Sequence, residues 1–86
     1  MKTITFSITA LKQLDDLKNS NPELIKRIVA LVTDISSNPF SGIGKPEPLK
    51  HQLKGKWSRR ITDEHRLVYE IKNDTIIIVA CMYHYE

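Results

Sequence analysis

The chain of 86 residues ends on Tyr83-His84-Tyr85-Glu86, a histidine between two tyrosines at the tip of an apolar run. An imidazole titrates near neutral pH, with a reference pKa of about 6.5, so it can hold or release a proton there. Upstream lies a dense cationic block: Gly44-Lys45-Pro46-Glu47-Pro48-Leu49-Lys50-His51, then Trp57-Ser58-Arg59-Arg60-Ile61-Thr62, then His65-Arg66-Leu67-Val68-Tyr69. One carboxylate, several fixed cations and a terminal imidazole are the parts needed to cut a phosphodiester by acid–base catalysis. RNA brings its own 2′-hydroxyl as nucleophile, so that chemistry needs no activated serine or cysteine. It needs a base for the 2′-hydroxyl proton and an acid for the 5′-oxygen. It also needs cations that hold the phosphorane more tightly than the ground state.

The elements that must position these groups follow from periodicity. Residues 2–6 alternate, with Thr3 and Thr5 opposite Ile4 and Phe6, and predict a short strand. Ser7 or Thr9 is the expected cap of a helix whose apolar face is Ala10, Leu11, Leu14 and Leu17. Lys12, Gln13, Asp15, Asp16 and Lys18 are expected to face water. Asn21-Pro22-Glu23 is a start signal for a second helix, striped by Leu24, Ile28, Leu31, Val32 and Ile35 and ended by Asn38-Pro39. Two helices on a short loop predict a hairpin over one face of a sheet.

Residues 40–48 hold two glycines and two prolines and predict a loop. Pro46 and Pro48 flank Glu47 and restrict its backbone, which suits a carboxylate held in place. A short strand is expected over 49–53, and further strands over 57–62, 65–72 and 75–85, joined by tight turns at Asp63-Glu64 and Asn73-Asp74. Together they give an α+β fold, a helix hairpin packed on a twisted, mainly antiparallel β-sheet, as one domain over 1–86. Period two sets Arg60 apart from Trp57, Arg59 and Ile61. It also expects Leu67, Tyr69, Ile71, Ile77, Val79, Cys81 and Tyr83 under the helices. Arg66 and His84 then emerge on the open face. Both sides of the last strand are apolar, so it is expected to be interior to the sheet or covered by another chain.

Thirteen basic residues against ten acidic give a net charge of +3, a modest excess that alone is weak evidence for a nucleic-acid partner. Its distribution says more. Between Lys45 and Arg66 the acids are Glu47, Asp63 and Glu64, against Lys45, Lys50, Lys54, Lys56, Arg59, Arg60 and Arg66. The one cysteine, Cys81, excludes an internal disulfide, fits a reducing cytoplasm and is expected in the core. One cysteine and three scattered histidines give no zinc spacing, so no metal and no cofactor are expected. No apolar run approaches the ~20 residues of a membrane span, and the amino terminus has no signal-peptide pattern. So short a chain buries a thin core, which makes a covering partner useful to its stability.

Residues 44–51, 57–62, 65–69 and 83–85 resemble the YoeB/Txe family of RelE-like bacterial toxins, most strongly from about Asn38 onward. The resemblance implies a RelE-like, microbial-ribonuclease-like fold and a ribosome-dependent endoribonuclease. Such an enzyme cuts mRNA in the ribosomal A site and is neutralised by a YefM-like antitoxin. Carried onto this chain, it implies Glu47 as general base, Arg66 as phosphate ligand and His84 as general acid. Lys50, His51, Arg60 and Tyr85 are then expected to contact RNA, and Lys54, Lys56 and Arg59 the antitoxin or ribosomal RNA. A homodimer, a cytoplasmic location and no membrane partner complete the expectation. The competing class is a non-catalytic RNA- or antitoxin-binding module acting as a corepressor. Two residues depart from the family pattern: Lys56 stands where an aromatic residue is common, and Glu86 extends past the usual terminal tyrosine.

Overall fold

A computed structural model describes residues 2–83. Strand β1 (Thr3–Phe6) leads into helices α1 (Ile8–Ser20) and α2 (Glu23–Ser37). Then come β2 (Glu47–Pro48), a single 3-10 turn (His51–Leu53), β3 (Trp57–Arg60), β4 (Arg66–Lys72) and β5 (Thr75–Tyr83). The sheet order is β1-β5-β4-β3-β2. Strand β1 runs parallel to β5, and every other pairing is antiparallel. The apolar last strand is therefore interior, as its two-sided character requires. Among the described residues no helix is long and apolar enough to cross a membrane.

The helix stripes behave as the periodicity dictates except at Leu11, expected on the apolar face of α1 but exposed at 53%. Ala10 and Leu17 of α1 and Ile28, Leu31 and Ile35 of α2 join Ile61, Leu67, Tyr69, Ile76, Ile78 and Cys81 in one buried cluster. Ser7 caps α1, its hydroxyl accepting from the Ala10 N–H at 3.0 Å. At α2 the Asn21 side chain is not the cap. The helix opens on Pro22, and the Asn21 carbonyl accepts from the Leu24 N–H at 3.0 Å. The strand expected over 49–53 is instead the 3-10 turn, entered through His51 at φ 58, a left-handed angle that no strand accommodates.

Strand β5 departs most from simple alternation. Tyr69 pairs with Ile78, Val68 with Ala80 and Arg66 with Tyr83, so β5 carries an extra residue at each of two register shifts. Each bulge reverses the side on which the following side chains lie. Ahead of both bulges, Ile76 and Ile78 are level with Ile71 and Tyr69 and enter the core in place of Ile77 and Val79, and past the first bulge Cys81 is inside. Tyr83, expected under the helices, instead lies on the open face beside Arg66. Helix α1 supplies what the disturbed ladder leaves unpaired. The Ser7 hydroxyl donates to the Val79 carbonyl at 2.7 Å. The side-chain carbonyl of Gln13, expected in water, accepts from the N–H groups of Cys81 at 2.7 Å and Met82 at 3.1 Å.

Candidate active site

The open face is read most easily in rows across the strands. One row runs Glu47, Ser58, Val68, Ala80, and the next runs Arg60, Arg66, Tyr83. Residues paired across antiparallel strands share a face. Glu47, Ser58, Arg60 and Arg66 accordingly converge, with Lys45, on a cleft of about 130 Å³. Ser58 is buried, while Glu47 and Lys45 are exposed and the two arginines half-buried. The Arg60 guanidinium lies 3.9 Å from Asp63, a carboxylate fully in solvent, which is a weak attraction. Its Nε is buried without a hydrogen-bond partner among the described residues. Three cations around one carboxylate and one hydroxyl make a receptor for a phosphate group with a base set into its wall.

The segment that brings Lys45 and Glu47 to this cleft is held from below by Arg59. This is a correction. Arg59 does not face an antitoxin or ribosomal surface, because its side chain is wholly buried. Its Nη1 meets the Asp34 carboxylate of α2 and donates to the Ile43 carbonyl at 3.2 Å. Its Nη2 donates to the carbonyls of Asn38 and of Ser41, the latter at 2.8 Å, and its Nε donates to the Tyr69 hydroxyl at 3.2 Å. That hydroxyl donates in turn to the Pro39 carbonyl at 2.6 Å. Asp34 also accepts from the Ile43 N–H at 3.1 Å.

The Arg59 hydrogen bond, and next the Ile43 N–H, hold the Asp34 carboxyl below its ordinary value. Burial pushes the Tyr69 phenol up, against the opposing hydrogen bond from Arg59. Two glycines make the loop's close approach feasible. At Gly42, φ is 117 and a Cβ would sit 2.0 Å from Asp34 Oδ2. At Gly44, φ is 79 and a Cβ would sit 2.7 Å from Leu31 Cδ2. The Gly44 carbonyl then accepts from the Arg60 N–H at 2.7 Å, and Lys45 follows in the left-handed region at φ 52.

Lys50 and His51 are not in this cleft. They line a neighbouring cavity of about 310 Å³ with Leu49, Gln52, Leu53 and Tyr83. Lys54 is exposed just past the 3-10 turn, and Lys56 lies 3.8 Å from Glu70. His84 and Tyr85 lie outside the described residues. Of the residues lining these two cavities, Lys45, Leu49, Gln52, Leu53 and Ser58 carried no site role in the sequence reading, and Tyr83 was expected under the helices. The signal for Ser58 was its parity with Arg60. For Tyr83 the side depends on where the alternation is anchored: counted from Ile77 and Val79 it falls inside, and counted from the buried Ile76 and Ile78 it falls on the open face. Cys81 is buried, and burial pushes its thiol up to about 11, which suits a core residue and not a nucleophile.

The comparison with known proteins decides the family. Residues 6–85 match the model of the YoeB-like toxin of bacterial type II toxin–antitoxin systems. The chain belongs to the YoeB family. It is 53% identical to Toxin YoeB of Escherichia coli K12 over 68 residues, which is 79% of this chain and 81% of that one. The fold superposes on the YoeB dimer from Staphylococcus aureus with a TM-score of 0.91 at 42% identity, covering 98% of each chain. It superposes on YoeB in the heterotetrameric YoeB–YefM toxin–antitoxin complex of the same organism with a TM-score of 0.88 at 42% identity, covering 99% of each. The α+β fold expected from the sequence is thus that of the YoeB and RelE-like toxins.

Proposed function

We propose that this YoeB-family toxin is an endoribonuclease that cuts mRNA in the ribosomal A site and so stops translation. The observation that carries the reading is the convergence of Glu47 with Lys45, Arg60 and Arg66 on one phosphate-sized cleft. In this reading Glu47 removes the 2′-hydroxyl proton and the 2′-oxygen attacks phosphorus. Arg66, Arg60 and Lys45 hold the phosphorane, whose added negative charge they meet better than the charge of the ground state. His84 protonates the departing 5′-oxygen, leaving a 2′,3′-cyclic phosphate and a 5′-hydroxyl. At about 130 Å³ the cleft is far below the roughly 300–1,000 Å³ that encloses a small-molecule ligand. It grips a phosphate and little else, so the ribosome must orient the rest of the message.

The partners proposed with this activity are mRNA on the ribosome, a YefM-like antitoxin and a second copy of the chain. The likeness to a YoeB dimer and to a YoeB–YefM complex supports the last two. The place of action is the cytoplasm, where the ribosomes are. Primer extension on mRNA from ribosomes programmed with a defined A-site codon tests the reading. Cleavage within that codon, ending in a cyclic phosphate and lost in Glu47→Ala, is expected. Intact message on ribosomes that demonstrably hold the folded protein would refute it.

A further inference from the structure

Beside the phosphate-sized cleft lies the second cavity, more than twice as large, walled by Leu49, Leu53 and Tyr83 and edged by Lys50, His51 and Gln52. Three features mark it as built. First, the two shifts in β5 move Tyr83 along β4 from the level of Glu64 to that of Arg66, and bulges are common beside active sites. Those shifts are braced over long sequence distances by Ser7 and Gln13 of α1. Second, His51 holds a left-handed φ of 58 at the entry to the 3-10 turn, and backbone strain of this kind collects at ligand sites. Third, Tyr83 is the cross-strand partner of Arg66, so its backbone lies one strand spacing, roughly 5 Å, from that of an arginine of the anion cleft.

A flat aromatic wall between leucines, flanked by exposed Lys50 and His51 and adjoining a cationic cleft, matches one nucleotide laid across both cavities. We propose that this cavity is a nucleobase subsite. Tyr83 stacks on the base of a nucleotide next to the scissile phosphate, the phosphate lies among Lys45, Arg60 and Arg66, and Lys50 and His51 meet the backbone beyond. Stacking suits any base, and the hydrogen-bonding side chain of Gln52 is placed to favour some bases over others. The inference rests on the reading of the chain as an RNA-cutting enzyme. It adds that Tyr83 helps fix the register of the message over the cleft.

Two arms test it. In the first, protein labelled on its tyrosine rings is titrated with each nucleoside 5′-monophosphate and with ribose 5-phosphate, the Tyr83 signal being assigned by its loss in Tyr83→Phe. At least one nucleotide should shift the Tyr83 ring where ribose 5-phosphate does not. If no nucleotide moves that ring beyond the sugar phosphate, the subsite is wrong. In the second arm, wild-type protein on programmed ribosomes cuts a message that is abasic at either nucleotide flanking the cut. Loss of one stacked base should slow single-turnover cleavage about ten- to hundredfold at one of the two positions. Tyr83→Leu should lose a similar factor with ribosome binding kept, and Tyr83→Phe, which retains the ring, should recover most of it. Parental cleavage by folded Tyr83→Leu, with only antitoxin binding weakened, would assign the cavity to the protein partner and overturn the proposal. If wild-type protein cuts no message at all, the function fails and the titration alone decides the subsite.

Discussion

Replacing Arg59 is the sharpest test of how the site is held. The side chain is wholly buried, and all three guanidinium nitrogens have partners. Arg59→Ala leaves the carbonyls of Asn38, Ser41 and Ile43 and the Asp34 carboxylate facing an empty guanidinium-sized space. Breaking a buried charge pair by removing one member costs about 3–5 kcal/mol. The Asp34 carboxylate is partly exposed and Asn38 and Ser41 are exposed, so the groups left behind can turn to water, which favours the lower end of that range or less. A domain of 86 residues has a stability of about 4–13 kcal/mol, so a loss near 3 kcal/mol is a large share of it. At about 4–8 °C per kcal/mol for so small a domain, the melting temperature should fall by roughly 12–24 °C.

Arg59→Met, which refills most of the volume, should recover little, because the loop carbonyls stay unpaired. Arg59→Lys should fall between, since it restores the charge beside Asp34 without the planar fork. Urea denaturation of the three variants, with hydrogen exchange at the Ile43 amide, is the assay. The Ile43 N–H should lose protection in all three, most in Arg59→Ala. The reasoning fails if Arg59→Met is as stable as the parent, because packing rather than the hydrogen-bonded fork would then hold the loop.

Three further outcomes are expected. Gly42→Ala puts a Cβ 2.0 Å from Asp34 Oδ2 at a φ of 117, so it should lower the urea midpoint and slow cleavage together. The Asp34 carboxyl is held below its ordinary 3.8 by Arg59, so its stabilising effect is complete above that pH and is lost as pH falls through the lowered folded value. Acid titration of stability should show this loss in the parent and not in Asp34→Asn. Arg66→Ala and Glu47→Ala should each slow single-turnover cleavage by roughly 10²–10⁴-fold, and the double variant by much less than the product, because both act on one phosphate.

Much of this arrangement was legible in the sequence, and the misses share a cause. The helix stripes, the antiparallel strands and the open-face placement of Arg60 and Arg66 follow from periods of 3.6 and 2, which are local rules, whereas the site role of Glu47 came from the family resemblance. Arg59 shares parity with Trp57 and Ile61, which pointed inward, yet its charge argued for the surface. The missed signal was Asp34, flanking the Leu31–Ile35 stripe of α2, where it could offer a buried arginine its counter-ion. The β5 bulges had no signal at all. Nine consecutive strand residues carry no glycine or proline to mark a bulge, and their partners Ser7 and Gln13 lie 72 and 68–69 residues away. Period two fails wherever a tertiary contact inserts a residue into one strand alone.

The two helices therefore do more than cover the sheet, and each governs one wall of the open face on the far side. From α2, Asp34 holds Arg59 of β3, and the two fix the loop that delivers Lys45 and Glu47. From α1, Ser7 and Gln13 stabilise the bulges that present Tyr83 next to Arg66. Buried polar groups are costly unless every partner is in place, so a thin core would be simpler to build from apolar residues alone. Their use here follows from the chemistry proposed for the open face. Electrostatic stabilisation of a phosphorane needs donors fixed before the reaction starts, and an exposed loop and the end of a strand are intrinsically loose. Tying both to the helices through directional hydrogen bonds turns the stability of the core into positional precision at the cleft. Any change that loosens the Arg59 fork should consequently reduce the rate of cleavage before it reduces affinity for the ribosome.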